Sequence, residues 1–325
     1  MQDYLDSLVD NGAAGVLLHY RSGDQTWIGS SGRAELGTDR AVDPDGWFRI
    51  GSVTKTFTAV VVLQLAGEGK LQLDEPVSRW VPGMPDEISL RQLLNHTSGL
   101  YNYTDDLPDP AGIVRDRYLH HEPMDVLRSG LTKPRLFAPG SSWSYSNTNY
   151  IALGVLIEAV TGNAYRDEVA ARILQPLGLQ RTMVPDAEVD LPEPHASAYL
   201  TVDGEPVNLA RVDASQAWAA GAVVSTAADL NRFYAALLSG GLLDEVGLEA
   251  MLTVVPTGKD YSYGLGIGRR LLPDGQAWWG HAGGFYGYLT LSYISEDLTR
   301  QLTLSYTGKG MEPPETGQVL AGLLT

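Results

Sequence analysis

The chain has no cysteine in its 325 residues. That single count excludes disulfides, thiolate metal sites and a cysteine nucleophile. Histidine is scarce too, at six. The one adjacent pair, His120 and His121, faces apart and has no His-Glu-x-x-His context, so neither a metal nor a cofactor is expected. Basic residues are few, 23 Lys+Arg against 39 Asp+Glu for a net charge of −16, which argues against nucleic acid or an anionic membrane as partner. No apolar run approaches the roughly 20 residues that span a bilayer, and MQDYLDSLVDNGAAG lacks the basic-then-apolar pattern of an export leader. Two readings of compartment follow: a cytoplasmic protein with Met1 as its native start, or a mature exported chain whose leader has been removed. Repeats and low-complexity segments are absent.

What remains describes an enzyme-sized chain, 44% hydrophobic, long enough for one large core and a second lobe. AGVLLHYR, TWIGSSG and WFRI read as strands of a sheet, broken by turn-rich SGDQ and DPDG. FTAVVVLQLAGEGK is apolar nearly all round and stops at Gly67 and Gly69, as expected of a buried helix. From about LDEPV to AADLNRFYAALLSGG strand patterns are scarce, and YNYTDDLPDPAG reads as a surface loop near the cleft. Strand patterns return at YGLGIGRRL, QAWWGHAGG, GYLTLSYIS and RQLTLSYT, closed by a short helix PPETGQVLAGLL. Residues 1–70 and 250–325 are therefore expected to build one sheet domain, with 71–249 a mainly helical domain inserted between its parts.

The most informative motif is Ser52-Val53-Thr54-Lys55, which follows WFRI and Gly51. Residues three apart share a helix face, so the Lys55 amine can reach the Ser52 hydroxyl. Gly51 allows a sharp turn out of the strand and leaves Ser52 in the first helical turn, where unpaired N–H groups favour an oxyanion. The positive helix end and burial both disfavour a protonated lysine, so Lys55 is expected to spend more time as the neutral amine that activates a serine. Alone, a serine three before a lysine is in most cases a solvated helix start. Two further triplets add weight by their order. Tyr145-Ser146-Asn147 lies in a polar turn, where Asn147 also suits a cap for YIALGVLIEAV. His281-Ala282-Gly283 lies in a glycine- and aromatic-rich strand pattern, where His281 also fits a hydrogen-bonded strand histidine.

Together these motifs resemble the serine β-lactamase-like and penicillin-binding protein family, which holds class C β-lactamases, soluble D-alanyl-D-alanine carboxypeptidases, D-amino-acid peptidases and related esterases. The resemblance covers nearly the whole chain, through FRIGSVTKTFTAVVVLQLAGEGKLQLDEPV, LRQLLNHTSGL, YSNTNYIALGVLIEAVTG, ILQPLGLQRTM, AAGAVVSTAADL, YGLGIG and GHAGGFYGY. GSVTKTFTAVVVLQL and SYSNTNY are similar above all to the secreted carboxypeptidase/transpeptidase type of actinomycetes. It implies an α+β fold of the β-lactamase/transpeptidase kind, an antiparallel sheet flanked by helices plus a mainly helical lobe. It also implies that Ser52 attacks a carbonyl while Lys55 and Tyr145 share its proton, that His281 hydrogen-bonds Tyr145 and tunes its ionisation, and that the N–H groups of Ser52 and Gly284 form the oxyanion hole. Asn147 would bind the substrate amide, with Ala282, Gly283 and Trp218 also on the substrate side, and β-lactams would be covalent ligands. His96, in LLNHTSGL, is expected to hold a loop together. Because relatives acting on peptidoglycan are exported, the resemblance favours the mature exported form.

Two departures bear on the substrate. Ala282 stands where the carboxypeptidases carry a threonine and Gly268 where they carry an arginine, the pair that holds a terminal carboxylate. Arg269 and Arg270 follow directly, but adjacent strand residues point to opposite faces, so at most one reaches the cleft. Tyr103, Trp143, Trp218, Phe285 and Tyr286 are candidates for lining that cleft, Trp218 the favoured one. The expected function is a serine hydrolase working through an acyl-enzyme on Ser52, first a D-alanyl-D-alanine carboxypeptidase or related D-peptide hydrolase. The alternative is an esterase, amidase or acyltransferase, including a peptide-cyclising one, ahead of a β-lactamase or a non-catalytic penicillin-binding module. Its substrate is a small peptide, amide or ester.

Overall fold

The computed structural model describes residues 1–258, 260–272, 275–308 and 316–324. Its strands are β1 (Ala13–Ser22), β2 (Gln25–Gly32), β3 (Phe48–Arg49), β4 (Tyr199–Val202), β5 (Glu205–Asn208), β6 (Val224–Ser225), β7 (Val255–Pro256), β8 (Tyr261–Tyr263), β9 (Gly268–Leu271), β10 (Ala277–Phe285), β11 (Tyr288–Ser295) and β12 (Arg300–Gly308). Eight of them form one antiparallel sheet in the order β2-β1-β12-β11-β10-β9-β8-β7, so strands from both ends of the chain meet where β1 pairs with β12. β10 and β11 join through Tyr286 and Gly287, both at positive φ, 39° and 89°. This is the two-residue hairpin geometry whose twist matches that of the strands.

The sheet is covered on both faces, which is why β11 and β12 are buried at nearly every position. On one face Leu5 and Leu8 of the first helix and Val319 and Leu320 of the last pack with Trp278, Leu291, Tyr293, Leu302 and Leu304. On the other lies the larger core, which contains the helix Thr54–Gly67, buried on all sides from Thr54 to Leu63, and the helices Asn147–Thr161 and Ala227–Leu238. Phe57 stacks on Phe233 with ring centroids 3.8 Å apart.

Two strand expectations change. WFRI does not join the main sheet: Phe48–Arg49 pairs with Val224–Ser225 in a separate two-stranded ribbon, because Ile50 is drawn to the Val223 carbonyl just before the chain turns into the Ser52 helix. The middle section also contains a hairpin, β4–β5, that its polar sequence did not announce. The Pro313–Glu315 start of the expected closing helix lies outside the described residues, and Thr316–Leu324 is helical. Among the described residues no helix is long and apolar enough to cross a membrane.

Candidate active site

Gly51 takes φ +51°, and a methyl group there would strike the Gly284 backbone. The chain can therefore turn sharply only because this residue is glycine. Gly51–Val53 form one 3₁₀ turn that runs into the helix beginning at Thr54, so Ser52 sits just before the α-helix proper. Lys55 is fully buried, with its Nζ 3.0 Å from Ser52 Oγ, 2.7 Å from Asn147 Oδ1 and 2.7 Å from the Ala220 carbonyl oxygen. Among the described residues no carboxylate pairs with it. Burial holds the amine well below its ordinary pKa. The Tyr145 and Tyr150 rings lie 4.9 and 5.4 Å from Nζ and favour the cation. Such contacts contribute about 1–2 kcal/mol, whereas desolvating an ammonium with no counter-ion costs several, so the neutral form prevails. A neutral amine has two N–H donors and one lone pair; with the donors on Asn147 and Ala220, the lone pair faces the Ser52 hydroxyl.

Asn147 opens the helix Asn147–Thr161 and is itself held. Its Nδ2 donates to Asn102 Oδ1 and Thr104 Oγ1, each at 3.1 Å, and its backbone N–H donates to Asn102 Oδ1 at 2.9 Å. The YNYTDD loop thus locks the residue that locks the lysine. Tyr145, in the loop just before that helix, is held to a neutral phenol by burial, with a hydrogen bond to Ser52 opposing more weakly. His96 braces it from behind. Its ring centroid is 4.3 Å from that of Tyr145, its carbonyl oxygen accepts from Ser144 N–H and its Nδ1 from Ser146 N–H, so both neighbours of Tyr145 are tied to one residue.

His281 differs from its expected role. Its Nε2 lies 2.8 Å from the Tyr263 hydroxyl and its Nδ1 2.5 Å from the Ala282 carbonyl oxygen, while the Tyr145 ring centroid is 6.4 Å away. Both ring nitrogens are taken by groups other than Tyr145. Burial, reinforced by the charge of Lys55 when protonated, pushes His281 down to about 3, so the imidazole is neutral.

β10 runs directly against the nucleophile turn. A side chain at Gly283 would overlap the Ile50 carbonyl and crowd the Ser52 amide nitrogen, whereas one at Gly284 would meet open space. That open space is a cavity of about 270 Å³ with Ser52 at one end, bounded by Tyr103, Thr104, Leu107, Asn147, Asp213, Gln216, Gly284, Phe285 and Tyr286. Tyr103 and Tyr286 clasp Gln216 across it, the first donating to its backbone oxygen at 2.6 Å and the second to its side-chain oxygen at 2.8 Å.

Residues 1–322 match the family model described as Beta-lactamase. The chain belongs to the beta-lactamase family. A D-stereospecific amidohydrolase from Streptomyces sp. superimposes with a TM-score of 0.91 at 35% identity, covering 99% of this chain and 97% of that one. Penicillin-binding protein 4* of Bacillus subtilis is 29% identical over 94% of this chain and 70% of its own length. Esterase EstB of Burkholderia gladioli is 35% identical over 60% of this chain, which spans about half, 52%, of that protein. The fold is that of the serine acyl-transferring hydrolases of this family.

Within the beta-lactamase family scaffold, several residues expected on the substrate side lie elsewhere. Ala282 packs against the second core, on the face opposite His281 and Gly283, so its methyl group does not border the cavity. Trp218 turns away to stack on Tyr165, centroids 5.3 Å apart, and borders a different pocket. Trp143 likewise borders a separate groove, leaving Tyr103, Phe285 and Tyr286 as the cleft aromatics. Arg269 lies over Trp279 near Glu296, and Arg270 stacks on Tyr261 beside Gly317, so neither reaches the cleft. A side chain at Gly268 would collide with the Tyr261 ring, which is the local reason no arginine stands there. Sequence reading missed Asn102, Thr104, Tyr263 and the Ala220 carbonyl. The polar YNYT segment was a signal for the first two, while a backbone oxygen leaves no mark in sequence.

Proposed function

We propose that this beta-lactamase-family protein hydrolyses or transfers the acyl group of amides and esters that lack a free C-terminal carboxylate, through an ester on Ser52, with Lys55 as its first base. The observation that carries this reading is the buried contact between Ser52 Oγ and an amine whose other two hydrogen bonds leave its lone pair free. As Oγ bonds to the carbonyl carbon its proton passes to Lys55, and the oxyanion is received by the N–H groups of Ser52 and Gly284, each such donor lowering the barrier by roughly 3 kcal/mol. Tyr145 gives its phenolic proton to the departing amine or alcohol and is reprotonated by Lys55. Water, or a second amine, then attacks the ester, returning a proton through Lys55 to Ser52. His281 acts here as a neutral partner of Tyr263 that shapes the wall behind Tyr145.

The carboxypeptidase reading needs a cation for the terminal carboxylate. Among the described residues, those bounding the cavity include no arginine and no lysine, which supports amides and esters over free C-terminal acids. The amidohydrolase and esterase relatives favour the same choice. The test compares a diacyl-Lys-D-Ala-D-Ala peptide, its C-terminal amide and a nitrophenyl ester. The ester and the amide are expected to be turned over at least as well as the acid, and a strong preference for the acid would restore the carboxypeptidase. Intact mass after a fluorophosphonate or a penicillin is expected to show an adduct that disappears in Ser52→Ala. Absence of any adduct with either probe would leave only a binding module.

A further inference from the structure

The cavity before Ser52 is bordered by one acidic residue that the acyl-transfer chemistry leaves unused. Asp213 borders it and is the one acid or base among the described lining residues apart from tyrosines. Its side chain is 5% exposed and rigidly set. The backbone N–H donates to the Arg117 carbonyl at 2.8 Å, Oδ1 accepts from Ser215 N–H at 2.8 Å, and Oδ2 lies 3.0 Å from His120 Nδ1. A carboxylate has about four acceptor positions, so these contacts leave capacity that solvent hardly reaches. Arg49 is buried and feels the charge of Asp213, but the two form no ion pair among the described residues. Its Nη2 donates to the carbonyls of Val189, Ala210 and Val212, and its guanidinium lies over the Phe285 ring at 5.3 Å. Phe285 borders the cavity whereas Arg49 does not.

We propose that Asp213 is a specificity-determining residue that receives the ammonium group of the substrate, so that the preferred substrates are amides or esters of amino acids or short peptides bearing a free amino group. Three features of the cleft suit a cation there. A buried carboxylate attracts an ammonium far more strongly than an exposed one does. Tyr103, Phe285 and Tyr286 border the same cavity, and aromatic rings attract a cation. The net charge of −16 draws cationic substrates toward the protein and repels acidic ones.

This proposal rests on acyl transfer at Ser52, and its test separates the two. Turnover of D-phenylalanine nitrophenyl ester and of its N-acetyl derivative is measured in the wild-type protein and in Asp213→Asn, which keeps the shape and the acceptor for Ser215. The expected result is a wild-type preference for the free amine of roughly 10- to 100-fold in kcat/KM, expressed mainly in KM, that collapses in Asp213→Asn and is largely kept in Asp213→Glu. Should the variants fold poorly, the ratio of the two substrates in the wild-type protein across pH serves instead. It is expected to fall as the amine loses its proton near pH 8, while ionisations of the acyl-transfer groups, common to both substrates, cancel. Equal use of both substrates, or a ratio that neither substitution nor pH moves, overturns the role of Asp213 while leaving the hydrolase intact. Failure to turn over either ester, with no label on Ser52, removes the hydrolase itself.

Discussion

At the residue scale the site is governed by how Lys55 is kept uncharged. Its three partners are all neutral oxygens, so the only means of restoring the charge is to supply an anion. Asn147→Asp does so at the 2.7 Å contact, and an adjacent carboxylate raises an amine's pKa by about 1–3 units. In the proposed mechanism activity needs the neutral amine, so in the wild-type protein kcat/KM is expected to rise with pH through the lowered Lys55 value. In Asn147→Asp that limb is expected to move to higher pH, with activity at neutral pH down by tenfold or more and partly regained on the alkaline side. A pH–rate profile with an ester substrate checks this, and an unmoved limb would exclude Lys55 as the base. Ser52 and Lys55 were legible because three-residue spacing on a helix is local geometry. The Lys55–Asn147 contact, between residues 92 apart, was not, since chain order carries no distance.

At the scale of elements, the proposed oxyanion pocket depends on β10 and the Gly51–Val53 turn approaching without side chains between them. Gly283→Ala places a methyl group against the Ile50 carbonyl. It is expected to destabilise the fold by about 1–3 kcal/mol and to lower kcat by at least a hundredfold through displacement of the Ser52 and Gly284 donors. Melting temperature and kcat of the same preparation check both parts, and an active, stable variant would show that the strand can withdraw without cost to catalysis. The glycines of HAGGFYGY were visible in sequence as a demand for close approach, whereas what approached them was not. WFRI shows the limit in another way. Its extended character was readable, but a two-residue pairing with Val224–Ser225 is decided by where the middle section returns, and no local pattern encodes that. Trp218 was misplaced for a related reason: its neighbours belong to the helix, but its ring packs toward Tyr165 on a different helix.

For the whole molecule, the junction between the sheet and the helices buries two histidines, His96 and His281, that are neutral when folded. His281 is held down to about 3 and His96 well below its ordinary value, in both cases chiefly by burial. An unfolded histidine takes up its proton near 6.5, so between that pH and about 3 the unfolded chain binds protons that the folded chain refuses. Stability is therefore intact above pH 6.5 and falls as pH drops, by up to about 1.4 kcal/mol per unit for each histidine. Melting temperatures between pH 7 and 4 are expected to fall less steeply in His281→Asn than in the wild-type protein. Parallel slopes would mean that His281 does not contribute. By itself the sequence determined the α+β class, the family, and the pairing of Ser52 with Lys55, because these depend on periodicity, residue type and motif order, all of which are read along the chain. Only the tertiary structure decided which partner His281 takes, that Ala282, Trp218 and both arginines lie away from the cleft, and that Asp213 borders it. Those outcomes depend on which surfaces meet when the sheet and the helices close around Ser52, a matter of distance through space between residues far apart in the chain.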